Sequence, residues 1–156
     1  MKKILCATLT IFIMAFSLST STFAAIQTNS VVEYFEDGSY TVTCIEDIST
    51  KPEIGLFSTT KTKSKTVTYY NAENVAKWYV KVTGTFTYGN GTSKCNSSSV
   101  AAESYATTWK ISSKSASKSG NTASANAIAK QYFDGTVVKT IDRTVTLTCS
   151  PTGDFS

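Results

Sequence analysis

The chain has 156 residues, with 15 lysines and arginines against 11 acidic residues and a net charge of +4. It contains no histidine, which excludes histidine-activated serine and cysteine nucleophiles and the usual zinc ligand sets. Arg143 is the one arginine, and no basic run is interleaved with aromatic residues, so no nucleic-acid partner is expected.

The N-terminus has the pattern of a secretory signal peptide. Two lysines precede an apolar run over residues 4–18, and a small-residue exit ends at Ala24. The run is too short for a comfortable membrane span, and no second apolar stretch follows it. The sequence therefore predicts a signal peptide over residues 1–24, cleavage after Ala24, and a secreted, extracellular protein without a membrane span after cleavage.

Residues 25–48 predict an acidic N-terminal β-hairpin. With a three-residue loop over residues 36–38, its strands pair Val32 with Val42, Tyr34 with Tyr40 and Ser30 with Cys44. This register places the valines, the tyrosines and the cysteine on one face. A lone hairpin is marginal in water, so this one needs the rest of the chain or a partner to pack against.

Charge is unevenly distributed along the chain. Residues 25–57 carry six acidic side chains and one basic side chain, whereas residues 58–156 carry twelve basic and five acidic ones. The pattern has two interpretations. One is an ordinary solvated surface, and the other is an acidic arm that docks on, or shields, a basic domain.

Residues 49–65 are polar and without periodicity, and we interpret them as a linker. Residues 66–156 form the predicted main domain, with a strand at 66–71 and its clearest strand, VAKWYVKVTGTFTY, at 75–88. Apolar and polar residues alternate along the latter, which is typical of a half-buried antiparallel strand. Gly84 interrupts the apolar face and predicts a bend or bulge. The sequence Gly-Asn-Gly at 89–91 predicts a hairpin turn.

The C-terminal half predicts further hairpins. One strand covers residues 104–114, with Tyr105, Trp109 and Ile111 on one face, and the run SSKSASKSGN after Ile111 leads through a turn into the strand 121–133. The last strand covers residues 136–149. A three-residue loop over residues 133–135 would avoid facing Lys130 with Lys139, and it sets Ala127 opposite Ile141 and Ala123 opposite Val145. The predicted fold is an all-β, antiparallel β-sandwich, Ig-like in general architecture, preceded by the N-terminal hairpin arm.

Three cysteines remain after signal cleavage, and they are widely spaced. Export favours their oxidation. Cys149 lies on the apolar parity of the last strand and Cys95 follows the Gly-Asn-Gly turn, so we predict a Cys95–Cys149 disulfide. Cys44 would then be unpaired or available for an intermolecular bridge. A reactive role for Cys95 is not favoured, because no neighbouring base is evident.

No catalytic group stands out. Glu73 and Glu103 are lone acids near loops, and nothing predicts a cleft that would hold a carboxylate pair. The sequence predicts no enzyme, no metal site and no cofactor.

Outward-facing tyrosines are the remaining candidate for a binding site. Trp78 and Trp109 fit a core, whereas Tyr79 points away from Trp78 and either Tyr69 or Tyr70 must face outward. Tyr70 and Tyr79 are therefore the candidate residues for stacking on a ligand such as a sugar ring.

Three segments resemble one family: TGTFTYGNGTSKC (83–95), WKISSKSASKSGNTA (109–123) and KTIDRTVTLTCSPTG (139–153). It consists of small, signal-peptide-bearing, Ser/Thr-rich β proteins of Gram-positive, clostridia-like bacteria, and it has no assigned activity. The likeness covers roughly residues 61–153. It implies an exported compartment and a small β domain, and it carries over no catalytic residue.

Two functions are compatible with these features. The first is a non-enzymatic, extracellular or cell-surface interaction module whose partner is a glycan or a protein. The alternative is a secreted antimicrobial or competition factor in which residues 25–57 are a removable acidic pro-region.

Overall fold

The computed structural model describes residues 30–48, 53–54 and 57–156. The predicted signal peptide and its cleavage after Ala24 lie outside these ranges. The described residues form β-strands joined by turns, and no helix that could cross a membrane occurs among them. The strands are β1 Val31–Tyr34, β2 Tyr40–Asp47, β3 Glu53–Ile54, β4 Thr59–Tyr70, β5 Ala76–Gly89, β6 Thr92–Ser104, β7 Trp109–Ser119, β8 Thr122–Phe133 and β9 Thr136–Thr148.

Two antiparallel sheets pack face to face, so the predicted all-β sandwich is confirmed. The large sheet has the order β1-β2-β4-β5-β6, with the short β3 paired to β4, and the small sheet has the order β7-β8-β9. Neighbours in each sheet are close in sequence, so the chain meanders through one sheet and then the other. The large sheet is the wider of the two and extends beyond the small one on the side of β1 and β2.

The core begins with the alternation along β5. Trp78, Val80, Val82 and Phe86 are buried on the inner face, as the pattern predicted. The hairpin turn after β5 is also confirmed: Gly89 pairs with Thr92, and both intervening residues have positive φ. That conformation matches the twist of a two-residue hairpin and suits Asn-Gly.

Gly84 lets the two sheets approach closely. A Cβ atom at this position would lie 2.5 Å from Cε2 of Phe86 and 2.9 Å from Cβ of Ala123. Facing it, β8 presents a stripe of four buried alanines: Ala123, Ala125, Ala127 and Ala129. Small residues on one sheet therefore make room for the aromatic and branched residues of the other. The bulge expected at Gly84 occurs one residue later, between Thr85 and Phe86.

The N-terminal hairpin is part of the large sheet. The predicted pairs Val32–Val42 and Tyr34–Tyr40 are confirmed, and all eight residues of β2 pair with β4. The face with more apolar residues points outward, however, because Tyr40 pairs with Tyr70, the neighbour of the buried Tyr69 on β4. The other face carries Thr41, which is buried opposite Tyr69, whereas β1 is exposed along its whole length.

The predicted linker over residues 49–65 is wrong for its second half. Thr59–Lys65 are the first seven residues of β4, and the strand expected at 66–71 is only the end of it. The side chains of Lys61, Lys63 and Lys65 lie on the same inner face of β4 as Val67 and Tyr69. Because these lysines replace the apolar residues expected there, the sequence pattern did not predict a strand. A lysine can bury its stem against the core while its ammonium reaches the edge: Lys63 Nζ lies 4.9 Å from the centre of the Phe155 ring and 3.3 Å from Asp47 Oδ1.

Two further predictions need correction. The β8–β9 hairpin has a two-residue turn, with Phe133 opposite Thr136, and a bulge between Gln131 and Tyr132 shifts the register. The bulge keeps Lys130 away from Lys139, but it sets Arg143, not Ile141, opposite Ala127 and Leu147, not Val145, opposite Ala123.

Tyr105 is 60% exposed, whereas Trp109 is buried. Tyr105 precedes β7 in a turn, so strand parity does not apply to it, and it does not share the face of Trp109 and Ile111. The hairpin predicted from SSKSASKSGN is confirmed, with Ser119 opposite Thr122.

Candidate ligand-binding surface

The outer face of the large sheet carries a row of tyrosines near one end of its strands. The sheet register fixes most of this row, because Tyr34 lies opposite Tyr40 and Tyr40 opposite Tyr70. Tyr79 pairs with Thr68 on β4 and has the same outward parity. We call the following residues the tyrosine row: Tyr34, Tyr40, Tyr70, Tyr79 and Tyr105.

Ring contacts join the row in two groups, one of Tyr34, Tyr40 and Tyr70 and the other of Tyr79 and Tyr105. The rings of Tyr40 and Tyr70 stack with centroids 5.0 Å apart and planes 4° apart. Tyr34 packs against Tyr40 at 5.4 Å, and Tyr79 stacks on Tyr105 at 5.5 Å. Aromatic pairs of this kind stabilise each other, so the rings are fixed before any ligand arrives.

The ends of the row are its most accessible parts. Tyr34 and Tyr105 are 74% and 60% exposed, whereas one ring face of Tyr70 is covered by Tyr40. Tyr70 and Tyr79, which the sequence singled out, therefore lie inside a larger aromatic surface. Tyr34, Tyr40 and Tyr105 were missed as binding residues. The first two were assigned to a packing face, and Tyr105 to the same face as Trp109 and Ile111.

Two of the tyrosines, Tyr79 and Tyr105, have a raised pKa. Burial raises the pKa of Tyr105, and the neighbouring Tyr79, Tyr70 and Glu103 add to this effect. The pKa of Tyr79 is raised by burial and by Glu103. Glu103 lies opposite Tyr79 in the sheet, and it adds a carboxylate acceptor beside the rings.

Threonine pairs lie on the same face, further along β4 and β5. Thr60 faces Thr87 and Thr62 faces Thr85, with hydroxyl oxygens 2.9 Å apart in both pairs. Asn96 donates from Nδ2 to Thr87 Oγ1 at 2.7 Å. The outer face thus combines an aromatic end with a polar, hydrogen-bonding surface.

Two ion pairs fasten the acidic hairpin to the basic strand β9. Arg143 Nη2 lies 2.7 Å from Glu33 Oε2, and Lys139 Nζ lies 2.6 Å from Asp37 Oδ2. The hydrogen bond from Lys139 holds the pKa of Asp37 well below its usual range, with further hydrogen bonds from Ser39. Burial alone lowers the pKa of Lys139, but its bonds to Asp37 and to Tyr69 outweigh that effect and raise it. Charge complementarity therefore holds β1 in place and fixes Tyr34 within the row.

The cysteines are free thiols: no disulfide links Cys44, Cys95 and Cys149 in the described part of the chain. Cys95 and Cys149 are both buried, and their backbone N–H groups donate to Gly120 O and Asn121 O, two neighbouring residues of one turn. Burial raises the pKa of both thiols, so neither is an activated thiolate. Their pairing stays a prediction. Cys44 is half-buried on the outer face, opposite Thr66.

Two of the described acidic residues have separate hydrogen-bond partners. Glu73 accepts from Asn71 Nδ2 at 3.3 Å, and Asp142 accepts from Asn126 Nδ2 at 2.5 Å. Within residues 30–48 and 57–156, no three His, Cys, Asp or Glu side chains are placed to hold a metal ion.

The fold and this surface define the chain as an antiparallel β-sandwich protein with an aromatic and hydroxyl-rich outer face. No family model, no curated protein and no solved structure matches it.

Proposed function

We propose that the protein is a secreted, non-enzymatic interaction module that binds a glycan on the outer face of its large sheet. One observation carries the proposal: the five tyrosines form a partly exposed row across four strands and a turn, with ring contacts within it. A contiguous exposed apolar patch on a protein surface marks an interaction or ligand-binding site, whereas singly exposed apolar residues are ordinary.

A glycan is the ligand that fits the chemistry of this face. The apolar C–H faces of sugar rings stack on tyrosine rings, while sugar hydroxyls exchange hydrogen bonds with phenol, carboxylate and threonine oxygens. The exposed ring surface of Tyr34 and Tyr105 provides stacking positions at the two ends of the row. Glu103, opposite Tyr79 in the sheet, offers a partner for sugar hydroxyls beside the rings, and the threonine pairs lie further along the same face. The alternative ligand for the same surface is a protein.

Truncating the ends of the tyrosine row is expected to reduce glycan binding. Tyr34→Ala and Tyr105→Ala each remove one exposed ring, which contributes about 1 kcal/mol of stacking and thus roughly five- to tenfold in affinity. The measurement is depletion of purified protein from solution by insoluble chitin, cellulose, peptidoglycan and starch, followed by titration with oligosaccharides of whichever polymer retains it.

Phe133→Ala provides the matched control. Phe133 is 75% exposed at the tip of the β8–β9 hairpin, on the other sheet. The Phe133→Ala variant should bind the glycan with the affinity of the unmodified protein. Equal losses for Phe133→Ala and the two tyrosine variants would contradict the proposal, and so would no retention on any of the four polymers.

A second candidate function draws on the two ion pairs between the acidic hairpin and β9. In the alternative, an antimicrobial or competition factor, residues 25–57 shield a basic domain until they are removed. The Glu33–Arg143 and Asp37–Lys139 pairs are contacts that such a pro-region would make. The pairing of all of β2 with β4 favours the first proposal, because removal of β1 and β2 would leave β4 as an open sheet edge.

Intact-mass analysis of secreted protein separates the two functions. The interaction module is expected to accumulate as a form beginning near residue 25 and to keep its hairpin. A major form beginning between residues 58 and 66 would instead support the pro-region.

A further inference from the structure

A cavity lies where the large sheet extends beyond the small one. It has a volume of about 420 Å³ and opens between the inner face of β2 and β4 and the strand β9. This volume is within the range of about 300–1,000 Å³ typical of small-molecule sites. The cavity shares no lining residue with the tyrosine row, so an inference about it is independent of the glycan proposal.

Much of the cavity wall is apolar. Val67 belongs to the buried core, and Ile45 and Phe155 pack against that core. Val31 contributes from β1 and is 65% exposed at the cavity mouth. A hydrocarbon chain placed along these side chains would displace water from apolar surface, which favours binding.

Two cations, Lys65 and Arg143, line the same cavity, and among the described residues no acidic side chain does; Ser156, the last residue of the sequence, also lines it. Lys65 makes no ion pair or hydrogen bond with any residue between 30 and 48 or between 57 and 156. Its burial without a counter-charge lowers its pKa. Arg143 bonds to Glu33 through Nη2, but its Nε is buried and has no hydrogen-bond partner.

The buried Arg143 Nε carries an energetic cost in this state, because it has given up its hydrogen bonds to water without gaining a protein acceptor. Lys65 is half-buried and lacks a counter-charge. A carboxylate has two oxygens and can accept from a guanidinium and an ammonium together. One such group in the cavity would pair Lys65 and satisfy Arg143 Nε.

We propose that this cavity binds an amphipathic monocarboxylate, with the carboxylate between Lys65 and Arg143 and an apolar tail along Ile45, Val67 and Phe155. Thr43, which pairs with the buried Val67 on the inner face of the large sheet, also lines the space and offers a further hydroxyl donor to the headgroup. A free fatty acid and the C-terminus of an apolar peptide both present this chemistry.

Titration calorimetry with octanoate tests the site in the unmodified protein. Octanoate is expected to bind with 1:1 stoichiometry, and octan-1-ol and octylammonium at least tenfold more weakly, because neither offers an anion. A charged hydrogen bond contributes about 1.5–3 kcal/mol, which corresponds to roughly ten- to a hundredfold in affinity. Acetyl-leucyl-leucine is the second probe: if it binds more tightly than octanoate, the ligand is a peptide C-terminus, and the reverse order indicates a fatty acid.

Lys65→Met removes the ammonium but keeps an unbranched apolar side chain, so the fold is expected to be retained. It should weaken octanoate binding at least tenfold, whereas Lys65→Arg should restore it. Lys94→Met, on an exposed position of β6, is the control and should leave the affinity unchanged. The proposal is overturned if octanoate and octan-1-ol bind equally, if Lys65→Met has no effect, or if octanoate does not bind.

Discussion

Replacing Gly84 with alanine is expected to destabilise the protein by about 3 kcal/mol, at the upper end of typical overpacking effects. The added Cβ would lie 2.5 Å from the ring of Phe86 and 2.9 Å from Cβ of Ala123. Phe86 is fully buried, so its ring cannot move without disturbing the contact between the sheets. Urea unfolding of the variant and the parent protein measures the difference.

Making Gly84→Ala in a protein that already carries Phe86→Leu identifies the cause of this loss of stability. In Phe86→Leu the side chain that meets the new Cβ is smaller, so Gly84→Ala should cost about 1 kcal/mol less there than in the parent, an interaction energy usual for residues in contact. The same cost in both backgrounds would mean that the close approach at Gly84 does not involve Phe86. A loss below about 0.5 kcal/mol, the range of ordinary surface substitutions, would contradict the packing described for β5 and β8.

Oxidation is expected to link Cys95 to Cys149 and to stabilise the fold by about 4 kcal/mol, the value for closing a loop of about fifty residues. The two cysteines are buried, and their backbones bond to neighbouring residues of the β7–β8 turn. The bridge would join β6 of the large sheet to the end of β9 in the small sheet. The measurement compares urea unfolding of the protein before and after reduction.

Cys44→Ser is the control for this experiment. Cys44 lies on the outer face of β2, so its loss should leave both the bridge and the stability difference intact. Peptide mapping under non-reducing conditions should recover Cys95 joined to Cys149. Recovery of Cys44 joined to either of them, or of three free thiols after oxidation, would contradict the prediction.

The parts of the fold that were predictable depend on short-range patterns. The two-residue alternation around Trp78 and Val80 identified β5 and its inner face, and Asn-Gly identified the turn after it. The pairing of Val32 with Val42 followed from the hairpin loop alone. In each case the sequence pattern that predicts the structure spans about fifteen residues or fewer. The tertiary contacts favour the same local structure.

The orientation of the N-terminal hairpin was not predictable from its own composition. Its more apolar face carries Val32 and Tyr34, yet that face is the outer one. The reason lies in β4, where Tyr69 is buried and the next residue, Tyr70, must face outward. Because Tyr40 pairs with Tyr70, the buried parity of β4 determines the parity of β2. Such a constraint appears only when the strand order is known.

The candidate site was predictable only in part for the same reason. Tyr70 and Tyr79 could be assigned to an outer face from local parity. Tyr34 and Tyr40 join them through the sheet register, and Tyr105 joins through a turn that strand parity does not describe. The cavity around Lys65 and Arg143 exists because the large sheet is wider than the small one. No local sequence pattern predicts that difference in width.

The central proposal is that the tyrosine row is the glycan-binding surface, and chemical-shift mapping tests it most directly. The measurement is a series of amide spectra of the isotopically labelled protein titrated with the oligosaccharide that binds best in the depletion assay. The expected result is saturable shifts on the outer face near Tyr34, Tyr70 and Tyr105. Shifts confined to the small sheet, with the outer face of the large sheet unchanged, would contradict the proposal.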